Sequence, residues 1–389
     1  MYRLCRDSSK KLLNPRHLYL LALLLFAGYS GALPALDFRD PEDGHLDLSA
    51  FLDRPYGFVP VISPITEPAV GYGAAAALVF VKKIESEEGR PPIRPNIGAV
   101  GGLATENGTR GGFGGFAGSF MDGRLRTVLG VARGDINLEF YGLGSGIGPG
   151  ENGIEYRVEA TGGMAGASYQ LGNSGWWLGA RYLYGVVETS LRNMQQPVPD
   201  GLPERDDELD LAALTPRLTL DTRNNFFTPT RGAYVDVSVP LFRDTWGSDR
   251  DFTKVSATGI WYRPMRKNLF FGVRGTVNAS SGDTPFYLDP GINLRGVEAI
   301  KYQGDKTAEV EAELRWQFNS RYSLVGFAGT GTARKDNFGV KRQKTVISGG
   351  AGFRYLIARR YGMHMGLDVG FGPDNPILYV IFGSAWNRE

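Results

Sequence analysis

The chain has almost no cysteine. Its one thiol, Cys5, sits near the N-terminus, so the body of the protein has no disulfide framework. Histidine is nearly as scarce, with His17, His45 and His364 alone, and no metal-ligand spacing appears. No apolar run reaches the ~20 residues of a membrane-spanning helix. With a mean hydropathy of −0.20, this excludes an ordinary multi-span helical membrane protein. An excess of either charge is lacking too. Lys and Arg number 43 against 41 Asp and Glu. Setting aside the basic N-terminal residues and Asp7 leaves a nearly neutral chain, so the charge gives no reason to expect a nucleic-acid partner. From Tyr56 onward no helical period appears either.

Glycine is plentiful instead, at 54 of 389 residues, about twice the usual share. The N-terminus reads as a secretory signal. Arg3, Arg6, Lys10, Lys11 and Arg16 precede the apolar run LYLLALLLFAG, which is too short to span a bilayer. Ser30-Gly31-Ala32 is a small-residue cleavage site, with cleavage after Ala35 as the alternative. Cys5 precedes the apolar run and so is not placed as a lipid anchor. The chain divides into a signal peptide at 1–32, a short acidic periplasmic linker or plug-like arm at 33–55, and a barrel at 56–389.

The barrel reading rests on period-two alternation. In AEVEAELRW, Ala308, Val310, Ala312, Leu314 and Trp316 face one way, and Glu309, Glu311, Glu313 and Arg315 the other. Residues 233–241, 269–279, 347–357 and 363–371 alternate likewise, with charges and glycines on one face. Short connections at 121–123, 171–175, 263–268, 318–322 and 357–362 alternate with long ones at 140–154, 191–208, 243–251, 281–307 and 332–345. That asymmetry predicts an all-β fold: a transmembrane antiparallel β-barrel of about 16 strands, with short turns at the periplasm. A closed barrel satisfies every backbone polar group within lipid, which an open sheet does not. The connection from 82 to 95 is long where this register wants a short turn. The first strand is expected at 58–65 and the last at 377–386, where Leu378, Val380, Phe382 and Trp386 share a face. Phe382 and Trp386 then form the barrel-closing strand signal.

With the strands placed, several motifs resemble the BamA/TamA superfamily of outer-membrane assembly barrels, the bacterial surface antigen family. GINLRGV resembles its loop motif at Leu294, Arg295 and Gly296, with Val297 in place of an aromatic. EAELRW resembles the following strand, with Glu313 and Arg315 matching. GFAGTG resembles the next strand's Phe-x-Asp-x-Gly pattern at Phe327 and Gly331, but Gly329 replaces the Asp. DTRNNFFTPTRG resembles the family's periplasmic turn, and FYGLGSG a segment of its smaller members. The resemblance implies a large loop folded into the lumen, with Arg295 paired to carboxylates of the next strands. Glu313 is then the first expected acceptor and Glu311 the second, Gly296 allows the tight turn, and loss of the Asp at Gly329 concentrates the pairing on them. The family's usual periplasmic POTRA modules are not expected, because the stretch between leader and barrel is about twenty residues, below the ~50 of an independent domain.

Catalytic chemistry is not expected. His364 should face the lumen, but Asp368 on the same face is about 13 Å along the strand, too far for a direct bond. GLGSGIGPG lacks the G-x-G-x-x-G register. The expected function is non-enzymatic and needs no cofactor: passing or inserting polypeptide or lipid with a partner, in the outer membrane of a Gram-negative-type bacterium. The alternative is a passive channel or structural surface antigen. Expected partners are outer-membrane lipid and a periplasmic protein or second copy, with no nucleic acid.

Overall fold

The computed structural model describes residues 38–53, 58–66, 68–82, 84, 93–140, 154–191, 207–337 and 340–386. The expected signal peptide, the FYGLGSG stretch beyond Phe140 and the stretch 192–206 lie outside the described residues. No helix among the described residues is long and apolar enough to cross a membrane. Strands cross it instead.

The strands are β1 (Phe58–Ile65), β2 (Gly73–Lys82), β3 (Asn96–Thr105), β4 (Arg110–Phe120), β5 (Leu125–Phe140) and β6 (Ile154–Gln170). They continue with β7 (Trp176–Leu191), β8 (Asp207–Asp221), β9 (Gly232–Ser238), β10 (Leu241–Phe242), β11 (Phe252–Arg266) and β12 (Leu269–Gly282). The last are β13 (Lys306–Gln317), β14 (Tyr322–Asn337), β15 (Val340–Ala358), β16 (Met363–Phe371) and β17 (Ile377–Phe382). Each stave pairs antiparallel with the next.

Seventeen segments make sixteen staves. Both β9 and β10 lie between β8 and β11. Between them Pro240 has no N–H to give a ladder, yet Val239 N–H still bonds Pro216 and Lys254 N–H bonds the Pro240 carbonyl. The two are one stave interrupted at a proline.

The alternation sorts as the periodicity requires. Val310, Leu314 and Trp316 are exposed on the lipid face, while Glu309, Glu311 and Arg315 are buried in the lumen. On β16, Met365, Leu367, Val369 and Phe371 face out and His364, Gly366, Asp368 and Gly370 face in. Trp316, Phe318, Tyr322 and Phe353 touch in series at the short-turn end, an aromatic band at the membrane interface.

Two expectations are corrected. The stretch 332–345 is not a loop. Thr332 pairs with Thr345 and the ladder runs on to Asn337 and Val340, so the hairpin continues past the lipid band. The closing strand is shorter than expected and ends at Phe382, which pairs with Met365. Gly383, at φ 77°, turns the chain off the wall. Gly383 N–H then bonds the His364 carbonyl and Ser384 N–H the Phe227 carbonyl, which carries Trp386 into the lumen rather than onto the outer face.

The acidic segment before β1 is docked on the short-turn end. Residues 39–53 end in a single helical turn, α1 (Ser49–Leu52). Arg321, wholly buried, pairs with Asp40, with Asp43 at 2.6 Å and with Asp47 at 2.7 Å. Leu52 packs with Val59 and Val81 of β1 and β2, and with Ile357, Tyr361 and Met363 from β15 to β16. The arm therefore touches both ends of the sheet. The Arg321 hydrogen bond holds the Asp43 carboxyl well below the usual carboxylate range.

Candidate functional site

The long connection between β12 and β13 turns inward. Ile292, Leu294 and Val297 bury themselves against Ala333 and Val346 of the barrel wall. Room for them comes from glycines on β14. A Cβ on Gly331 would lie 2.7 Å from Ile292, and one on Gly329 3.0 Å from Leu294. An aspartate at 329 would therefore collide with the loop, which explains why glycine stands there.

Arg295 lies at the centre of this packing and is 8% exposed. Its Nε and Nη2 donate to Glu311 Oε1 at 3.0 and 2.8 Å, and its backbone N–H donates to Glu311 Oε2 at 3.1 Å. Its Nη1 donates to Asp368 Oδ2 at 2.7 Å. Glu313 Oε2 lies 2.8 Å from the same Nη1 but accepts no aligned hydrogen bond. The guanidinium carbon lies 3.7 Å from the Phe327 ring centroid, a cation–π stack. Arg354 also pairs with Asp368, donating to Oδ2 at 2.8 Å, so one carboxylate serves two arginines.

The expected order of acceptors is thus reversed. Glu311, one register position deeper, receives the bidentate fork, and Glu313 is a flank. The third acceptor is Asp368 on β16, not a residue of β14. Sequence reasoning placed Asp368 on the lumen face but weighed it only against His364. Trp386, expected as part of the barrel-closing strand signal, instead donates from its Nε1 to Glu311 Oε1 at 2.5 Å. Trp386 packs on Tyr262 and over Gly272, where a Cβ would stand 2.8 Å from the indole. His364 itself contacts Thr228 Oγ1 at 3.2 Å through Nδ1.

Gly296, at φ 89°, brings the loop backbone against β16, and its N–H donates to the Tyr379 hydroxyl of β17 at 2.9 Å. A Cβ there would lie 2.7 Å from the Phe371 nitrogen and 2.8 Å from the Gly370 carbonyl carbon, both backbone. Gly296→Ala is therefore expected to lift the loop from β16, at a cost of ~1–3 kcal/mol from the left-handed backbone alone. The check is limited proteolysis near Tyr302 in folded, detergent-solubilised protein. Gly291→Ala, where the nearest new contact is 3.7 Å, should leave the cleavage pattern unchanged.

The loop's outer part reaches the connection between β16 and β17, where Lys301 pairs with Asp374 at 2.8 Å and the Tyr302 hydroxyl donates to Asp374 at 3.2 Å. Loop and arm thus both hold the C-terminal half of the wall, beside the place where the sheet must close.

That closure is weak. No ladder pairing joins β1 to β17 among the described residues, whereas β13 to β15 carry long unbroken ladders. Instead the Thr66 side chain bridges the gap, its Oγ1 donating to the Leu378 carbonyl at 2.9 Å and accepting from the Leu378 N–H at 3.1 Å. At the other end of β17 the chain leaves the wall at Gly383. Nearby, the arm cluster packs on β1, β2 and the turn from β15 to β16.

Comparison with known proteins gives a consistent picture. The Omp85 superfamily domain matches residues 150–373. No curated protein matches. Among solved structures, BamA from Haemophilus ducreyi lacking POTRA domains 1–3 superposes with a TM-score of 0.54 at 12% identity, over 84% of this chain and 70% of that one. CdiB from Escherichia coli superposes with a TM-score of 0.56 at 14% identity, over 95% of this chain and 74% of that one. At such identities the likeness is one of fold.

Proposed function

The chain belongs to the Omp85 superfamily of outer-membrane barrels, and from that premise we propose that it passes or inserts polypeptide through the seam between β1 and β17. The observation that carries this reading is the closure by one threonine side chain in place of a ladder. Each missing backbone bond is a bond that opening does not have to break, and an unpaired strand edge is a template for an incoming strand. The Arg295 lock holds the loop in the lumen while the seam works, so opening the wall does not also open a wide aqueous pore. A partner in the periplasm would deliver the client.

The test is reconstitution. Proteoliposomes holding the folded chain should speed the insertion of an urea-unfolded outer-membrane barrel, compared with empty liposomes of the same lipid. Equal rates in both would sink this reading and favour a passive channel.

A further inference from the structure

The loop packs against the β12–β16 side of the lumen. Across from it, at the short-turn end, a cavity of 310 Å³ lies between β3 and β8. That is the size of a small-ligand site, ~300–1,000 Å³. Four arginines line it: Arg94, Arg126, Arg181 and Arg217. The carboxylates beside them are Asp221 and Asp236. Asp221 is already shared three ways, with Arg223 at 2.8 Å, Arg94 at 2.6 Å and Arg126 at 3.7 Å. Asp236 is bound by Arg217 and by the Thr219 hydroxyl at 2.9 Å. Among the described residues arginines outnumber carboxylates on this wall, inside a barrel where charge is weakly screened.

The guanidiniums are also held in place. Arg126 stacks on Trp177 at 3.5 Å, and Arg94 lies 5.2 Å from the Phe226 centroid. Among the described residues, the Nε of Arg94 and the Nε of Arg126 are both buried with no hydrogen-bond partner. Unfilled donors of this kind cost free energy unless something accepts from them. Small residues open the wall around them, with Gly166 and Ala180 lining the same space.

We propose that this cavity binds a phosphate-type oxyanion, with Arg126 and Arg94 as its principal ligands. Planar forks on several sides suit a tetrahedral dianion with three accepting oxygens better than a lone carboxylate. Free phosphate and the phosphate of a lipid headgroup share this chemistry. The site lies at the periplasmic mouth, where either is within reach. The inference is independent of the seam and concerns a different wall of the barrel.

The test is calorimetric titration of the full folded chain in neutral detergent with inorganic phosphate, at fixed ionic strength. Saturable binding is expected, and Arg126→Gln should weaken it about tenfold or more. Arg126 makes a long ion pair with Asp221 and stacks on Trp177, and a heat-shift gel verifies that Arg126→Gln still folds. Arg126→Lys, keeping charge without the fork, should fall between. Dihexanoyl phosphatidic acid binding more tightly than phosphate assigns the site to a lipid headgroup, and equal affinity assigns it to the free ion. The proposal is overturned by no saturable phosphate binding, by an affinity unaffected by Arg126→Gln, or by a tetraglutamate peptide binding as well as phosphate. The chain's own Glu85, Glu87 and Glu88 are checked by joint replacement with glutamine. Phosphate binding seen only in that variant would mean the native occupant is internal, and would equally overturn the proposal.

Discussion

Arg295→Ala is expected to release the lumen loop and turn a quiet barrel into a conducting one. The substitution removes the shared cation of Glu311, Glu313 and Asp368, the first and last of which are almost wholly buried. Breaking a buried pair costs ~3–5 kcal/mol when the charge left behind is uncompensated. Arg354 still serves Asp368 and Trp386 still serves Glu311, so the barrel itself should fold. The loss falls on the loop, whose other holds are the Ile292–Leu294–Val297 packing and Lys301. Single-channel conductance in planar bilayers should rise, and cleavage near Tyr302 should appear. Arg295→Lys should rescue little, since one ammonium cannot serve a bidentate Glu311 and stack on Phe327 as well. Glu311→Gln should act more strongly than Glu313→Gln, the reverse of the order that the family resemblance implies. Unchanged conductance and proteolysis in Arg295→Ala would show that packing, not the lock, holds the loop.

The second large effect is expected at the other end of the lumen. Arg321→Ala should loosen the acidic arm, because this side chain joins Asp40, Asp43 and Asp47 to the turn before β14, leaving Arg359 as the remaining cation on Asp40 and Asp43. A docking loss of only ~1.4 kcal/mol multiplies the undocked population about tenfold. Protease should then cut between Arg39 and Asp53. Arg360→Ala, at an exposed pair with Asp53, should change little. Acid gives a second handle. Arg321 hydrogen bonds lower Asp43, against a smaller opposing effect of burial. At Asp47, burial pushes the carboxyl up, but bonds from Ser49, Arg321 and the Arg359 backbone outweigh it and leave it lowered. A lowered carboxylate stabilises the folded form above its unfolded value, ~3.9, and loses that contribution as pH falls through its depressed one. The wild-type arm should therefore stay docked from pH 7 to 5 and undock only in stronger acid. Release by mild acidification would contradict this.

Much of the fold was legible because lipid and lumen demand opposite side chains at alternate positions. The Glu309–Arg315 face of β13 and the His364–Gly370 face of β16 could be read without a structure. Arg295 and its glutamates were legible through the family-like loop and strand motifs. What failed were contacts across the lumen. Asp368 is 73 residues from Arg295, and period-two patterning says which face a residue takes but not which distant wall it meets. The Gly329 position carried a hint, since a glycine on a lumen face leaves room for something, here Leu294. Trp386 was misplaced because one positive-φ glycine, Gly383, ended a strand whose apolar pattern ran on past it. The hairpin through 332–345 reads as a loop in the sequence because beyond the lipid band a polar strand and a polar loop look alike. The arm's target was hidden in two arginines of short turns, Arg321 and Arg359.

The seam is where the account is most exposed. With Cys5 replaced by serine, Thr66→Cys and Leu378→Cys can be joined across the gap by a short, reductant-cleavable linker. The account predicts that fully linked protein loses its acceleration of barrel insertion into liposomes, and that cleaving the linker restores it. Undiminished acceleration by the linked barrel would contradict it.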